Sequence, residues 1–142
     1  MKKFFTSIAI LSSAAVAGFG LVASIAVANP GTDEHGNWLQ NYEYYWRVVD
    51  PDPNGLNCRM RGTIGDILTI ENRGYSLNFS SYWVRTTLPQ GYEFRVGHMT
   101  GEGALMFDDR GLPWIYNSDD DCFVRANSHF VRPVPDHPRL YR

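Results

Sequence analysis

Short runs in which apolar and polar residues alternate constrain the fold of this chain more than any other feature. Residues 56–61 alternate without a break, and residues 92–96 and 122–127 repeat the pattern. Successive side chains of a β-strand point to opposite faces of a sheet, so each run predicts a strand with one core face and one solvent face. No long helical period follows residue 28. Further candidate strands are residues 44–49, 67–70, 83–88, 104–107 and 113–117.

Clusters of turn-forming residues separate these runs. They lie at residues 50–55, 89–91, 108–111 and 117–121. Many short strands with frequent turns indicate an all-β domain, built as a barrel or a sandwich. The segment 61–82 fits the alternation least, and we expect it to form a long excursion that carries a small hairpin of its own.

The first 28 residues are typical of a cleaved secretory signal. Two lysines follow Met1, residues 4–28 carry no charge, and the apolar run ends in Ala-Val-Ala at 26–28, as a signal peptidase requires. The uncharged run is also long enough to span a bilayer, so an uncleaved membrane anchor is the alternative. We expect a secreted or periplasmic protein that is not inserted in the membrane after cleavage.

The two cysteines, Cys58 and Cys122, both follow the predicted signal. Cysteine pairs of exported proteins are most simply disulfides. Cys58 shares the core face of its run with Leu56 and Met60, and Cys122 lies on the core face of the run 122–127. We therefore expect a Cys58–Cys122 disulfide inside the domain, which leaves no thiol free for nucleophilic catalysis.

Metal-binding patterns are incomplete. Residues 50–55 resemble the start of a calcium loop, but Arg61 takes the twelfth position, where such a loop has a bidentate Glu. The acidic run 119–121 is typical of a solvated loop, with loose binding of a hard cation as the alternative. We expect no metal and no other cofactor, because the four histidines also lack zinc-site spacing: His35, His98, His129 and His137.

Groups for catalysis and for nucleic-acid binding lack their usual arrangement. Carboxylates lie near predicted strand ends, but no spacing marks a catalytic pair among Glu93, Glu102, Asp108 and Asp109. Both lysines belong to the predicted signal, and the formal net charge is −2, so no basic stripe is available for nucleic acid. We expect neither an enzyme nor a nucleic-acid-binding protein.

Four segments resemble, in the right order, the motifs of bacterial SH3-like domains (SH3b, or SH3 type 3), most closely the secreted forms found in cyanobacteria. The resemblance implies a small β-barrel with a binding role, and we expect five to seven strands. Two departures are Cys58, which replaces the usual Val, and residues 62–82, an inserted loop or hairpin that replaces a short loop. The four matching segments are residues 48–59, 87–94, 111–115 and 122–131.

The signal and the resemblance together divide the chain into four parts. The expected parts are a signal peptide at 1–28, an N-terminal extension at 29–46, an SH3-like barrel at 47–135 and a C-terminal tail at 136–142.

Aromatic residues are the remaining functional signal, because aromatic shelves bind peptides and sugars with a large contact area at little entropic cost. The resemblance implies groove positions for Trp114 and Phe130, and Tyr82 and Tyr116 complete our set of candidate ligand-binding residues. The alternative is structural, since a small barrel must build its core from its aromatic residues.

These observations favour an exported, non-catalytic binding module. Its partner would be a cell-wall peptide or glycan, or an extended segment of another exported protein. The alternative is a secreted inhibitor or interaction protein that acts through residues 62–82, because a disulfide-stabilised scaffold presents a loop at low entropic cost. An enzyme that uses Glu93, His98 or His129 is the third hypothesis.

Overall fold

The computed structural model describes residues 31–41, 43–97 and 105–141, and the side chains of these residues up to 139. The predicted signal at 1–28 and the candidate residues His98 and Glu102 lie outside the described residues. Within the described part, no helix combines the length and the apolar character that are needed to cross a membrane.

The described residues form a mostly β-structure, as the alternating runs predict. They contain one α-helix, α1 (Ile64–Asn72), and two 3₁₀ turns, Phe79–Ser81 and Pro138–Tyr141. Eight strands are present in this part of the chain: β1 (Tyr45–Val48), β2 (Leu56–Met60), β3 (Trp83–Leu88), β4 (Glu93–Arg95), β5 (Leu105–Phe107), β6 (Pro113–Asn117), β7 (Cys122–Arg125) and β8 (Val131–Pro133).

The strands form two antiparallel sheets. One has the order β4-β1-β8, and the other has the order β3-β2-β7-β6-β5. A bridge between Val96 and Asn117 joins the sheets, and the Ser118 amide donates to the Arg95 carbonyl at 2.9 Å. The all-β prediction is therefore confirmed. The strands described number eight instead of five to seven, and their pairing does not close a barrel.

Side chains from both sheets and from the N-terminal segment build the hydrophobic core. Trp46 of β1, Phe94 of β4 and Phe123 of β7 are fully buried. Trp38 also packs into this core, with its ring edge-on to Trp46 at 5.3 Å and its indole N–H donating to the Val131 carbonyl at 3.0 Å. Part of the predicted N-terminal extension thus contributes to the core.

The segment 61–82 differs from the prediction, because it contains a helix where we expect a hairpin and a strand at 67–70. Thr63 caps α1 by accepting a hydrogen bond from the Asp66 amide, and the Asp66 carboxylate accepts one from the Thr63 amide. This reciprocal pair is a capping box, which favours helix initiation at this point. Three isoleucines spaced three apart then share the inward side of the helix: Ile64, Ile67 and Ile70.

The predicted disulfide is confirmed. Cys58 of β2 and Cys122 of β7 are bonded, with 5.5 Å between their Cα atoms, and both residues are fully buried. The bond connects two neighbouring strands of the five-stranded sheet, which are 64 residues apart in sequence.

Candidate functional site

Three of the four candidate aromatic residues belong to one buried cluster. The rings of Tyr82 and Trp114 lie 5.3 and 5.4 Å from the ring of Phe79, and Tyr116 lies 5.3 Å from Phe123. Phe79 and Phe123 are 4.5 Å apart and link these contacts. Tyr82 and Trp114 are each only 5% exposed, so little of their ring surface is open to a ligand.

Phe130, the fourth candidate, is half-buried and lies outside this cluster. Its ring contacts His129 edge-on at 5.3 Å, and its carbonyl accepts hydrogen bonds from Val49 and Asp50. The structure therefore does not bring the four candidates together on one exposed surface.

The acidic run 119–121 is held by tyrosine and asparagine side chains. Tyr92 donates to Asp120 at 2.8 Å, and this hydrogen bond, helped by burial, raises the pKa of Tyr92 to about 12. Burial and a hydrogen bond to Asp121 at 2.6 Å raise the pKa of Tyr116 to about 12 as well. The carboxylates thus stabilise the β6–β7 turn. Among the described residues, no group of three His, Cys, Asp or Glu side chains is arranged to hold a metal.

The calcium-like segment 50–55 is a turn held by its own polar groups. Asp50 accepts a hydrogen bond from the Asp52 amide at 3.0 Å, and Asp52 accepts one from the Asn54 amide at 2.9 Å. Gly55 has φ +84°, and a Cβ atom there would lie 2.8 Å from the Leu88 carbonyl oxygen. These are the features of a tight turn before β2.

The residues named for catalysis are spread over the molecule. Glu93 pairs with Arg47 and with His137, and the hydrogen bond from Arg47 holds the pKa of Glu93 below its usual range. His137 also stacks on Tyr45 at 3.9 Å, so this cluster fastens the C-terminal tail to β1 and β4. His129 is exposed and contacts only Phe130 among the aromatic rings described.

An exposed aromatic surface lies on the edge strand β3, at a residue that our sequence analysis did not select. Trp83 is 78% exposed, the largest value among the exposed hydrophobic side chains of the described residues. We define the Trp83 surface as Arg61, Trp83, Val84 and Arg85, which are all exposed. Trp83 pairs with the buried Met60 at the end of β2.

A β-bulge shapes this surface. Cys58 pairs with Thr86, but the next residue of β2, Arg59, pairs with Val84, so Arg85 is an extra residue in β3. Such a bulge bends the strand and changes the direction of the side chains beyond it. Leu88 stays on the core side, whereas Val84 and Trp83 are both exposed.

The Trp83 side chain lines two depressions. The larger has a volume of about 440 Å³ and the smaller about 280 Å³. The larger is lined by Arg61, Ser81, Tyr82 and Trp83. The smaller is lined by Met60, Gly62, Trp83, Val84 and Arg85. Each depression is thus lined by one arginine and by the indole, and the two ends of the segment 62–82 contribute to the walls.

The two arginines differ in their partners. Arg85 forms an ion pair with the Asp121 carboxylate at 3.1 Å, and Asp121 accepts a hydrogen bond from Tyr116. No carboxylate of the described residues lies within ion-pair distance of Arg61. Burial raises the pKa of Tyr82, and the nearby charge of Arg61 partly offsets that rise. The residues that define the Trp83 surface thus carry two positive charges, of which the one on Arg85 is paired with Asp121.

The sequence does contain a signal for the exposure of Trp83. Within the predicted strand 83–88, Trp83 alternates with Arg85 and Thr87, whose polar side chains mark a solvent face. That pattern indicates an outward tryptophan, although it contains no sign of the bulge.

The chain was compared with protein-family models, with curated proteins and with solved structures. No protein-family model, no curated protein and no solved structure matches the chain.

Proposed function

We propose that this protein is an exported, non-catalytic binding module and that the Trp83 surface binds a cell-wall glycan. The observation that carries the proposal is the exposure of Trp83, whose side chain lines two depressions. Leaving a whole indole in water forgoes the favourable free energy of covering its apolar area, which a stacked ligand would recover. Sugar rings present flat C–H faces that suit such stacking.

A glycan fits this surface better than an extended protein segment. A segment that adds to the edge of β3 would need a continuous row of backbone hydrogen-bonding groups. The bulge at Arg85 interrupts that row between Thr86 and Val84. Bulges and charged side chains are devices that protect edge strands against such pairing. Recognition through the Trp83 side chain needs no strand addition.

The groups that line the two depressions support binding without catalysis. Among the described residues they are guanidinium, indole, phenol, hydroxyl and apolar groups, with no carboxylate, imidazole or thiol. Both thiols of the chain are joined in the disulfide. Asp121, the acidic partner of Arg85, is already in an ion pair with Arg85 and accepts a hydrogen bond from Tyr116.

We also propose that this domain is related to SH3-like domains and that the protein is exported. The support for the relationship is that each of the four matching segments overlaps a strand, namely most of β2, the start of β4, the first part of β6 and all of β7. In this interpretation α1 and the 3₁₀ turn that follows are an addition at the position of a short loop, and they bring Tyr82 and Gly62 to the Trp83 surface.

Cosedimentation with purified sacculi tests the proposal. The exported protein, purified with its disulfide intact, is expected to sediment with peptidoglycan, and Trp83→Ala is expected to stay in the supernatant. Tyr75→Ala is the matched control, because Tyr75 is 66% exposed but lines neither depression. If the wild-type protein does not sediment, or if both variants bind as it does, the Trp83 surface is not a wall-binding site.

A second candidate function is inhibition of an extracellular enzyme through the segment 62–82. The observation that favours it is the exposed stretch 71–76, which projects Tyr75 into solvent. Deleting the whole segment would remove Ile67 and Phe79 from the core, so point variants are needed. In assays of wall hydrolases, an inhibitor would lose inhibition in Tyr75→Ala and keep it in Trp83→Ala, which is the reverse of the pattern expected for a wall-binding module.

A further inference from the structure

We infer that the glycan bound at the Trp83 surface carries carboxylate groups, which pair with Arg61 and Arg85 in the two depressions that the indole lines. This inference rests on the proposed function and names the chemical class of its ligand. The juxtaposition that carries it is one exposed tryptophan that lines two depressions, each of which contains a guanidinium group.

Arg61 is the stronger of the two anion-binding groups. Its side chain lines the larger depression, and the described chain provides no carboxylate within ion-pair distance. A guanidinium has five N–H donors in a planar fork, which matches the two oxygens of a carboxylate. Among the described residues this group has no anionic partner, so it is available to pair with a carboxylate of a ligand.

Arg85 is oriented by the protein itself. One of its terminal nitrogens lies 3.1 Å from an Asp121 carboxylate oxygen in an ion pair, while Asp121 accepts a hydrogen bond from Tyr116 at 2.6 Å. This leaves further N–H donors of Arg85 for a ligand in the smaller depression, which the Arg85 side chain lines. The ion pair reduces the net positive charge at Arg85, so we expect its contribution to be smaller than that of Arg61.

The local charge differs in sign from that of the whole chain. The chain has a formal net charge of −2, yet the residues that line the two depressions include two arginines and no acidic residue among those described. A neutral glycan would need only the indole and hydrogen-bonding groups. Two cations around one stacking ring instead match a saccharide whose rings carry acidic substituents, such as the lactyl carboxylate of a peptide-free muramic acid residue.

Isothermal titration calorimetry with three probes tests the inference. The probes are a neutral tetrasaccharide of N-acetylglucosamine, a peptide-free wall tetrasaccharide of the same length with lactyl carboxylates, and the free stem peptide. The wild-type protein is expected to bind the acidic tetrasaccharide about tenfold more tightly than the neutral one. Arg61→Gln should remove most of that preference, Arg85→Gln a smaller part, and Arg61→Lys should restore some of it.

Arg73→Gln is the matched control, because Arg73 is exposed but lines neither depression. It should keep both the affinity and the preference of the wild-type protein. The thermal midpoint of every variant is measured alongside, and we expect no change, since all three arginines are exposed. Raising the salt concentration should weaken binding of the acidic probe and leave the neutral probe unaffected.

The outcomes separate this inference from the proposed function. Equal affinity for the neutral and acidic tetrasaccharides, or an unchanged preference in Arg61→Gln, overturns the carboxylate inference and leaves glycan binding in place. Binding of the stem peptide as tightly as the acidic tetrasaccharide assigns the surface to a peptide and overturns the inference as well. Binding of none of the three probes overturns the proposed function itself.

Discussion

The tryptophans of the described residues differ in their surroundings, and only one of them is available to a ligand. The indole N–H of Trp38 donates to Val131, that of Trp46 donates to Asn41, and that of Trp114 donates to Asp108. Such buried hydrogen-bonded rings stabilise the fold, because losing the donor leaves an acceptor without its partner. Trp83 is the exposed exception, so substitutions at these positions should separate stability from binding.

Trp83→Ala is expected to reduce ligand binding without reducing stability. Loss of a central aromatic contact typically costs a binding site at least about 2 kcal/mol, whereas a side chain that is 78% exposed contributes little to folding. Affinity for the wall tetrasaccharide and the urea midpoint of unfolding are the two measurements. Trp114→Phe is the control. It should lower the urea midpoint of unfolding and leave the affinity for the wall tetrasaccharide unchanged. A large loss of stability in Trp83→Ala would mean that the ring belongs to the core.

Asp108 should give the protein a pH-dependent component of stability. Burial raises the pKa of Asp108, but hydrogen bonds from the Leu112 amide, the Trp114 indole and the Arg110 amide outweigh burial and hold the pKa below its usual range. The pKa is thus lower in the folded than in the unfolded chain, and the carboxylate stabilises the fold above the ordinary Asp pKa of about 3.9.

Replacing this carboxylate tests that contribution. Asp108→Asn should lower the free energy of unfolding at pH 7 by about 1–3 kcal/mol, because an amide offers one acceptor where the carboxylate has two. The difference from wild type should begin to shrink as the pH falls to about 4, where Asp108 of the unfolded chain becomes protonated, and it should continue to shrink towards the lower pKa of Asp108 in the folded protein. Urea unfolding between pH 7 and pH 3 measures the difference in the free energy of unfolding between wild type and Asp108→Asn. Asp52→Asn, at an exposed position, is the control. A difference that does not change with pH would contradict the assigned role.

At the scale of single residues, the alternation with Arg85 and Thr87 could indicate an outward Trp83, but the sequence contains no sign of the bulge that shapes its surroundings. Tyr82 and Trp83 are adjacent in the chain, and we selected Tyr82, which is buried against Phe79. Which of two neighbouring rings faces the core depends on the strand phase and on the bulge at Arg85. That bulge depends on the pairing of β3 with β2, which local alternation does not encode.

At the scale of elements, strands with clear alternation could be predicted and the helix could not. The predicted strand 113–117 coincides with β6, and the predicted strand 83–88 coincides with β3. Helix α1 presents only one fully buried residue, Ile67, so its apolar period is weak. Its isoleucines favour a strand by local propensity, and the Thr63–Asp66 capping box was the available signal for a helix.

Ile67→Ala is expected to loosen α1 from the rest of the domain. Ile67 is the only buried residue of the helix, and truncating a buried isoleucine typically costs about 3 kcal/mol. Because the two sheets do not depend on α1 for their strand pairing, we expect faster proteolysis within 62–82 and retention of β-structure. Limited proteolysis and circular dichroism measure this. Glu71→Ala changes an exposed residue of the same helix and should have no such effect. If both variants resist proteolysis equally, Ile67 does not anchor the helix.

At the scale of the whole molecule, three long-range contacts hold distant parts of the chain together. The Cys58–Cys122 disulfide connects β2 to β7, Trp38 connects the N-terminal segment to β8, and the Glu93–His137 pair connects the C-terminal tail to β4. Only the disulfide could be predicted, because two cysteines on core faces have one obvious partner each. The other two contacts join residues far apart in sequence, and no local pattern specifies their pairing.

Reduction of the disulfide should lower stability by a large share of the total. The two cysteines are 64 residues apart, and the chain-entropy model assigns about 4 kcal/mol to closing a loop of that length, against roughly 5–15 kcal/mol for a whole domain. Urea unfolding of the oxidised and reduced protein, with the state of the bond confirmed by intact mass, measures the difference. The double variant Cys58→Ala with Cys122→Ala is the control, since reductant should not change its midpoint.

Both sulfurs are buried, so we also expect slow reduction unless the domain unfolds. An unchanged midpoint after complete reduction would mean that the packing of the two sheets, and not the covalent link between β2 and β7, sets the stability of this fold.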